Sequence, residues 1–278
     1  MTILVTGATA SVGRLVVDEL VAAGAPVRAL TVNPAKAALP DGVEVAKGYL
    51  GRPETLPAAL EGVDMVYLAP LAHTVREFTE LARAAGVRRV VALSGSNADE
   101  EPQEGSSGMA YRAVEDAVEA AGFDWTFVRP GAFMNNTLGW AESVRTRGVV
   151  RAPYGEARST AIDLGDVAAV AAHVLLTDGH SGAKYTLSGP SAISQREQAA
   201  AIGTALGREV GFQELTRAEA KADWAAAGIP GEVMDWLLDG FADALAHPQV
   251  PTTTVEELTG RPALTYAGWA VANAAAFR

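Results

Sequence analysis

The sequence contains no cysteine in 278 residues, and its four histidines are scattered. Without cysteine the chain forms no disulfide, offers no thiolate nucleophile and excludes every zinc site that needs a thiolate ligand. The histidines are His73, His173, His180 and His247, and their spacing matches no metal-binding motif. We therefore expect no bound metal.

Basic residues are fewer than acidic ones, and long apolar runs are missing. The chain has 22 Lys and Arg against 33 Asp and Glu, a net charge of −11, and the basic residues are scattered among carboxylates. This balance excludes a sequence-independent nucleic-acid binder, which needs clustered positive charge. The longest apolar stretch, Val167 to Leu176, has about half the length of a membrane span. We expect a small-molecule substrate as the partner, with no nucleic acid and no membrane.

The length and the start of the sequence predict a cytoplasmic protein with one main core. Met1 leads directly into the strand-like run Ile3 to Val5, without the basic region and cleavage site of a signal peptide. A chain of this length is expected to form one large domain, or a core with a small lobe, rather than two equal domains. We expect a monomer or a homodimer.

Short β-branched runs alternate with one-faced helical patterns through the first half of the chain. The helical patterns carry apolar residues at 12, 15, 16 and 20 and again at 75, 78, 82 and 85. This alternation predicts an α/β fold, a Rossmann-like doubly wound parallel sheet with right-handed crossover helices. The predicted strands are Ile3–Thr6, Val27–Thr31, Val43–Ala46, Met65–Leu68, Val90–Ser94 and Trp125–Arg129.

The pattern becomes less regular after the sixth predicted strand. Residues 1–155 are predicted to form the dinucleotide-binding core. A strand at 159–162, a helix at 166–177 and a strand at 184–188 are predicted to add to its sheet. Residues 189–278 are predicted to form a smaller, mainly helical substrate-binding lobe, with helices at 194–206, 217–227 and 232–246 and a short strand at 210–214.

A glycine-punctuated turn joins the first strand to the first helix. Exposed N–H groups and the positive end of a helix dipole favour an anion there, and glycines allow a tight turn and close backbone approach. The turn therefore predicts a pyrophosphate site. Its candidate residues are Gly7, Thr9, Ala10, Ser11, Val12 and Gly13.

Four segments of the chain resemble the NmrA-like branch of the atypical short-chain dehydrogenases/reductases. They are residues 6–13, 127–136, 162–168 and 188–190. The branch contains NADPH-dependent quinone and dye reductases as well as regulators that sense a dinucleotide. The resemblance implies the Rossmann fold, NADP more than NAD as cofactor, and Phe133 on the nicotinamide side of the cleft. Ala69 and Pro70, after the fourth strand, are further candidate cofactor contacts.

Three positions expected to touch the dinucleotide depart from the family pattern. Ala10 replaces the middle glycine of the loop, and Val32 stands where NADPH users carry an arginine. Tyr49 replaces an aspartate that contacts adenine. Asn33 can bond a phosphate oxygen, Tyr49 can stack on adenine, and Lys36 is the only nearby cation. Weak or lost dinucleotide binding is therefore an open alternative.

The candidate catalytic groups are Tyr111, Ser96, Glu115 and His73. The resemblance to the wider superfamily implies that Tyr111 donates a proton and that Ser96 steadies the substrate. Glu115 replaces the lysine expected four residues after the tyrosine, and a carboxylate there is expected to raise the tyrosine pKa. His73 follows the fourth strand and is a candidate acid or base. The alternatives are that Tyr111 packs in the core and that His73 caps the next helix.

The main hypothesis is an NAD(P)H-dependent reductase of a flat, conjugated small molecule, quinone-like or enone-like. A neutral tyrosine that donates to a developing oxyanion is sufficient for such a reaction. One alternative is a non-redox isomerase, cyclase or lyase on the same scaffold. The other is a regulatory protein that senses a dinucleotide.

Overall fold

A computed structural model of the chain describes residues 1–100 and 106–278. The strands in these residues are β1 (Ile3–Val5), β2 (Val27–Thr31), β3 (Glu44–Lys47), β4 (Met65–Leu68), β5 (Arg89–Leu93), β6 (Asp124–Pro130), β7 (Val149–Ala152), β8 (Arg158–Ser159), β9 (Ala183–Leu187), β10 (Ile193–Ser194) and β11 (Gly211–Glu214). The helices are α1 (Ser11–Ala22), α2 (Pro57–Leu60), α3 (Val75–Ala84), α4 (Ser107–Ala120), α5 (Ala141–Arg147), α6 (Leu164–Leu176), α7 (Gln195–Leu206), α8 (Arg217–Ala226), α9 (Gly231–Ala246), α10 (Thr254–Thr259) and α11 (Tyr266–Ala272).

Seven of the described strands form one parallel sheet in the order β3-β2-β1-β4-β5-β6-β9. The order reverses between β1 and β4, which makes that gap the topological switch point of a doubly wound sheet. The prediction of a Rossmann-like parallel sheet is confirmed. The six strands predicted for the first half are all present, each within one residue of its predicted ends.

The inner strands β1, β4 and β5 are mostly apolar on both faces because helices cover both sides of the sheet. On one side, Leu4, Val66, Val90 and Phe127 pack in a core with side chains of α3 and α4. On the other side α6 contacts α1 and strands β4, β5 and β6. The longest apolar run of the sequence is therefore a buried helix. No helix in residues 1–100 and 106–278 is long and apolar enough to cross a membrane.

The chain divides into two compact units. The first contains residues 1–130, 164–187 and 254–260, and the second contains residues 131–163, 188–253 and 261–278. This division differs from the predicted boundaries at 155 and 189. The reason is pairing: β7 lies parallel to β11, which joins residues 149–152 to residues 211–214. Helix α10 instead packs on α6 and β9 and so belongs with the first unit.

The predicted addition of residues 159–162 to the central sheet is wrong, whereas the predicted strand at 184–188 does join it as β9. Strand β8 pairs antiparallel with β10 in a separate ladder. The backbone of the following residues has other partners. Ile162 donates its N–H to the carbonyl of Ala132 at 2.9 Å, and the carbonyl of Thr160 accepts from the N–H of Gly189 at 2.9 Å.

A buried ion pair fastens α4 to the strands of the first unit. Glu115 is completely buried and accepts hydrogen bonds from Arg129 at 2.8 Å (Nε) and 2.6 Å (Nη2). The hydroxyl of Ser94, just after β5, donates to the same carboxylate at 2.5 Å. Arg129 also pairs with Asp99, and these hydrogen bonds, led by that to Glu115, raise the pKa of Arg129. Lys184 of β9 lies 3.6 Å from the Glu115 carboxylate. One carboxylate thus connects α4, β5, β6 and β9.

Replacing Glu115 by alanine should lower the free energy of unfolding by about 3–5 kcal/mol, because it leaves the buried Arg129 charge without its main partner. The matched control is Glu119→Ala, since Glu119 pairs with Lys184 at a partly exposed position. Loss of such a pair costs at most about 1 kcal/mol. Equal losses in denaturant unfolding of the two variants would contradict a central role for Glu115.

Candidate active site

The glycine loop takes the geometry that the sequence predicts. Gly7 follows β1 with φ at +60°, in the region that favours glycine. The N–H of Ala10 donates to the carbonyl of Gly7 at 2.8 Å and closes the turn directly before α1. A Cβ placed on Gly13 would lie 2.3 Å from that same carbonyl oxygen. The first turn of α1 therefore packs directly on the loop, at a distance that only glycine allows.

Residues after β4 lie beside this loop at the switch point. The hydroxyl of Thr6 donates to the carbonyl of Tyr67 at 3.0 Å and accepts from the N–H of Ala69 at 2.8 Å. A Cβ placed on Gly7 would lie 3.0 Å from the Cβ of Ala69. The structure thus brings together Gly7 and Ala69, and half-buried Pro70 follows. Open parallel sheets bind ligands at such a reversal of strand order.

The alanine in place of the middle glycine causes no backbone strain. Ala10 has φ of −89° and ψ of 168°, an extended conformation that any residue adopts. Thr9, Ala10 and Ser11 are exposed, whereas Val12 is buried and contributes only its backbone to the loop surface. Ala10 is also the N-cap residue, and no side-chain hydrogen bond caps the N–H groups of the first turn there. These residues fit a pyrophosphate at the helix N-terminus.

Val32 and Tyr49 are exposed where β2 and β3 end side by side. The N–H of Gly48 donates to the carbonyl of Thr31 at 3.0 Å, which fixes the two ends next to each other. Val32 is 60% exposed and Tyr49 46% exposed. The ring of Tyr49 lies over Gly51, where an added Cβ would meet ring atoms at 2.5 Å. An aromatic face and an apolar side chain are therefore accessible at this edge.

The expectation that Lys36 is the only nearby cation is wrong. Asn33 and Lys36 are exposed in the segment after β2, and their contact with a cofactor stays a prediction. The guanidinium of Arg14, in the first half of α1, donates to the carbonyl of Ala38 at 2.5 Å. Sequence distance concealed this contact, because the crossover helix runs back beside the segment that follows β2.

Tyr111 packs its ring on the loop that follows β5. A Cβ on Gly95 would lie 2.4 Å from the ring of Tyr111, and Ser96 comes next in the chain. Burial raises the pKa of Tyr111. The predicted direction is confirmed, but the cause is burial and not Glu115, whose carboxylate holds Arg129 and Ser94. Tyr111 is therefore a neutral hydrogen-bond donor at neutral pH.

Ser96, His73 and Phe133 differ in how they are placed. Ser96 is exposed, and its N–H donates to the carbonyl of Pro130 at 3.0 Å, so the loop continues the β5–β6 ladder. His73 is exposed in the short turn before α3, where Thr74 is the N-cap residue. Phe133 is half-buried in the second unit and forms a single parallel bridge with Ile162. The catalytic roles of Ser96 and His73 and the cofactor contact of Phe133 stay predictions.

Tyr67 is a candidate ligand contact that the sequence alone did not predict. Its side chain is 1% exposed, and its hydroxyl has no hydrogen-bond partner within the described part of the chain. Burial, and next the charge of Tyr111, raise the pKa of Tyr67. A buried hydroxyl without a partner is unfavourable by about 1–3 kcal/mol and is a place where a ligand atom or water is expected. The apolar pattern of β4 predicted only core at this position.

Comparison with known proteins identifies the family. Residues 7–178 match the family model described as NAD(P)H-binding. The chain belongs to this family. It is 42% identical to the (4-alkanoyl-5-oxo-2,5-dihydrofuran-3-yl)methyl phosphate reductase of Streptomyces griseus, over 99% of each chain. It is 38% identical to the NAD(P)H azoreductase of Xenophilus azovorans, again over 99% of each.

Solved structures agree with this assignment. The NADPH-dependent quinone oxidoreductase of Escherichia coli superposes with a TM-score of 0.83 at 29% identity, over 97% of this chain and 98% of that one. The Citrobacter triphenylmethane reductase complexed with NADP(H) has a TM-score of 0.83 at 25% identity, over 99% of this chain and 100% of that one. The resemblance to quinone and dye reductases, predicted from four short segments, is confirmed.

Replacing Gly13 by alanine should destabilise the protein by about 1–3 kcal/mol, because the new methyl group overlaps the carbonyl of Gly7. The loop must then shift, and dinucleotide binding should weaken with it. The control is Gly240→Ala in α9, where an added Cβ meets nothing within 4 Å. That change should stabilise the helix by about 0.5–1 kcal/mol. Thermal unfolding measures the stability of both variants, and cofactor titration measures their dinucleotide binding. Unchanged stability and binding in Gly13→Ala would contradict the close packing of Gly13 on Gly7.

Proposed function

We propose that this protein is an NAD(P)H-dependent reductase that acts on a flat, conjugated small molecule, quinone-like or enone-like. The main structural support is the glycine loop at the switch point of the sheet, which lies in the same unit as the neutral Tyr111 and the neighbouring Ser96. Relatives named as azo and quinone reductases support the proposal. The Streptomyces relative supports the enone class, since its named substrate has a ring double bond conjugated with carbonyl groups.

Tyr111 and Ser96 suit the reduction of a delocalised acceptor. The dinucleotide, when bound, supplies the hydride. Tyr111 is protonated at neutral pH, and burial raises its pKa further, so it can donate a hydrogen bond to the acceptor oxygen that becomes negative. Ser96 offers a second, exposed hydroxyl next to the residue on which the Tyr111 ring packs. Because the product anion is delocalised, no strong base is required.

The alternatives have less support. A non-redox isomerase, cyclase or lyase would need acid and base groups, and Glu115 is committed to Arg129 and Ser94. That leaves Tyr111, Ser96 and His73. A dinucleotide-sensing regulator would use the same loop without a catalytic tyrosine. We prefer the reductase, because the relatives with more than 35% identity over the whole chain bear reductase names.

NADPH is the proposed cofactor in preference to NADH. The absence of strain at Ala10 removes one reason to expect weak binding. The exposed Val32 and Tyr49 leave the adenosine end different from the family pattern, so affinity is expected to be modest. Pro70 and Phe133 remain proposed cofactor contacts. A cytoplasmic location, a monomeric or homodimeric state and substrate binding by the second unit also stay predictions.

The direct test is oxidation of NADPH and NADH by the purified protein in the presence of a quinone, an azo dye or a conjugated enone. The proposal expects acceptor-dependent cofactor oxidation with at least one of these classes. No oxidation with any of them, together with conversion of such a compound when no cofactor is added, would favour the non-redox alternative.

Tyr111→Phe should leave the fold intact and lower turnover by about 10²–10³, the effect of removing one donor to a developing oxyanion. Tyr185→Phe is the control, because its hydroxyl bonds His180 at 2.8 Å and has no proposed role in catalysis. The control should change stability slightly and turnover little. Steady-state kinetics with a saturating acceptor measure the turnover of both variants. Unchanged turnover in Tyr111→Phe would mean that Tyr111 only packs in the core.

Val32→Arg should strengthen NADPH binding about tenfold, because one charge-assisted contact to the 2′-phosphate adds up to about 3 kcal/mol and solvent screens part of it. NADH has no 2′-phosphate and should bind as before. Val45→Arg adds the same charge to the neighbouring strand β3 at a position also exposed in part. Equal tightening of both cofactors, or the same effect at Val45, would mean a general charge effect, and no change for either cofactor would mean that Val32 does not face the site.

A further inference from the structure

A cofactor with a 2′-phosphate needs a positive group that Val32 does not provide. The ends of β2 and β3 form the lip at which that phosphate is expected, if the protein uses NADPH as proposed. The chain carries a net charge of −11, so a group of positive side chains in one place is unusual for this protein. Lys47 is the last residue of β3, Lys36 lies in the segment after β2, and Arg14 contacts that segment at Ala38.

Arg14 reaches the segment after β2 from the first helix. It follows Gly13 directly, so its backbone lies one residue beyond the glycine packed on the phosphate loop. Its Nη1 donates to the carbonyl of Ala38 at 2.5 Å, and its Nε pairs with Asp18 at 3.1 Å. The side chain remains 36% exposed. The guanidinium therefore spans the gap between α1 and the segment after β2.

The segment that Arg14 holds is in an unusual conformation. Ala38 has φ of +47°, in the left-handed region that a non-glycine residue seldom adopts. Arg14 bonds the carbonyl of this same residue. Lys36 lies two residues earlier and is exposed, as is Asn33. Arg14 thus fixes the segment that carries Lys36, and its own charge lies at that segment.

The local charges favour an anion. Lys36 and Lys47 form no ion pair in the described part of the chain, and Lys47 pairs with Thr31 at the end of the β2–β3 ladder. Asp18 is the carboxylate paired with Arg14, and it is 42% exposed. An exposed i,i+4 pair is weak, so a phosphate dianion can replace Asp18 as the partner of Arg14.

We propose that Arg14, together with Lys36, binds the 2′-phosphate of NADPH and replaces the arginine that Val32 lacks. The proposal rests on the proposed use of NAD(P)H. It makes Arg14 the main residue that selects NADPH over NADH, and it makes Asp18 a competitor that the phosphate displaces.

Dissociation constants for NADPH and NADH, measured by cofactor fluorescence without any acceptor, test the proposal. Arg14→Gln should weaken NADPH binding at least about tenfold and NADH binding much less, because NADH loses only the support that Arg14 gives to the segment at Ala38. Lys36→Gln should act in the same direction with a smaller effect. Asp18→Asn removes the competitor but keeps Arg14, so NADPH binding should tighten while NADH binding stays the same. The fragments 2′,5′-ADP and 5′-AMP should show the same contrast.

Several results would overturn the proposal. One is an equal loss of both cofactors in Arg14→Gln, which would mean that Arg14 only holds the segment after β2. Another is an unchanged ratio of NADPH to NADH affinity in both Arg14→Gln and Asp18→Asn. A wild-type protein without preference for NADPH would also contradict it. If NADH supports acceptor reduction in that case, the proposed reductase function stands while this inference fails.

Discussion

The buried pair between Glu115 and Arg129 is the interaction on which the catalytic edge of the first unit depends. It joins a helix to the ends of neighbouring strands, and Ser94 and Lys184 add to it. Tyr111 lies one helical turn before Glu115, and Ser96 lies two residues after Ser94. The two proposed catalytic side chains are therefore positioned by one buried charge. Glu115, which stands where the resemblance implies a lysine, is a structural anchor, and Tyr111 is a partly buried neutral donor.

Close backbone packing is the corresponding constraint at the cofactor loop. Gly13 and the carbonyl of Gly7 approach so closely that no side chain fits between them, whereas Ala10 is extended and tolerates its methyl group. Gly7 needs its positive φ, and Gly13 has no room for a side chain. Ala10 replaces a glycine of the family pattern at a position whose backbone conformation any residue adopts. At the adenosine end, we expect charge rather than steric fit to determine how tightly the 2′-phosphate binds. Val32 offers no cation there, and we propose that Arg14 of α1 supplies one.

The sequence predicted the sheet well and the site in part. Strands buried on both faces form apolar runs, which is why Met65–Leu68 is predicted with its observed ends, and Val27–Thr31 is predicted as well although Arg28 interrupts its run. The strand at 158–159 was assigned to the wrong sheet, since periodicity carries no information about pairing partners. Arg14 was missed because a crossover helix brings it to Ala38, 24 residues away. Tyr67 was missed because a tyrosine in a buried strand looks like core, and only the unpaired hydroxyl distinguishes it.

The most direct test of the central claim is transfer of hydride from the cofactor to the substrate. NADPH that carries deuterium on the hydride-donating face of the nicotinamide ring is incubated with the protein and an accepted quinone or enone, and the product is analysed by mass spectrometry. A conjugated enone should gain deuterium at carbon, and quinone reduction should slow with the labelled cofactor. A reduced enone that carries no deuterium, whichever face of the nicotinamide ring is labelled, would contradict hydride transfer from the cofactor and favour acid–base chemistry on this scaffold.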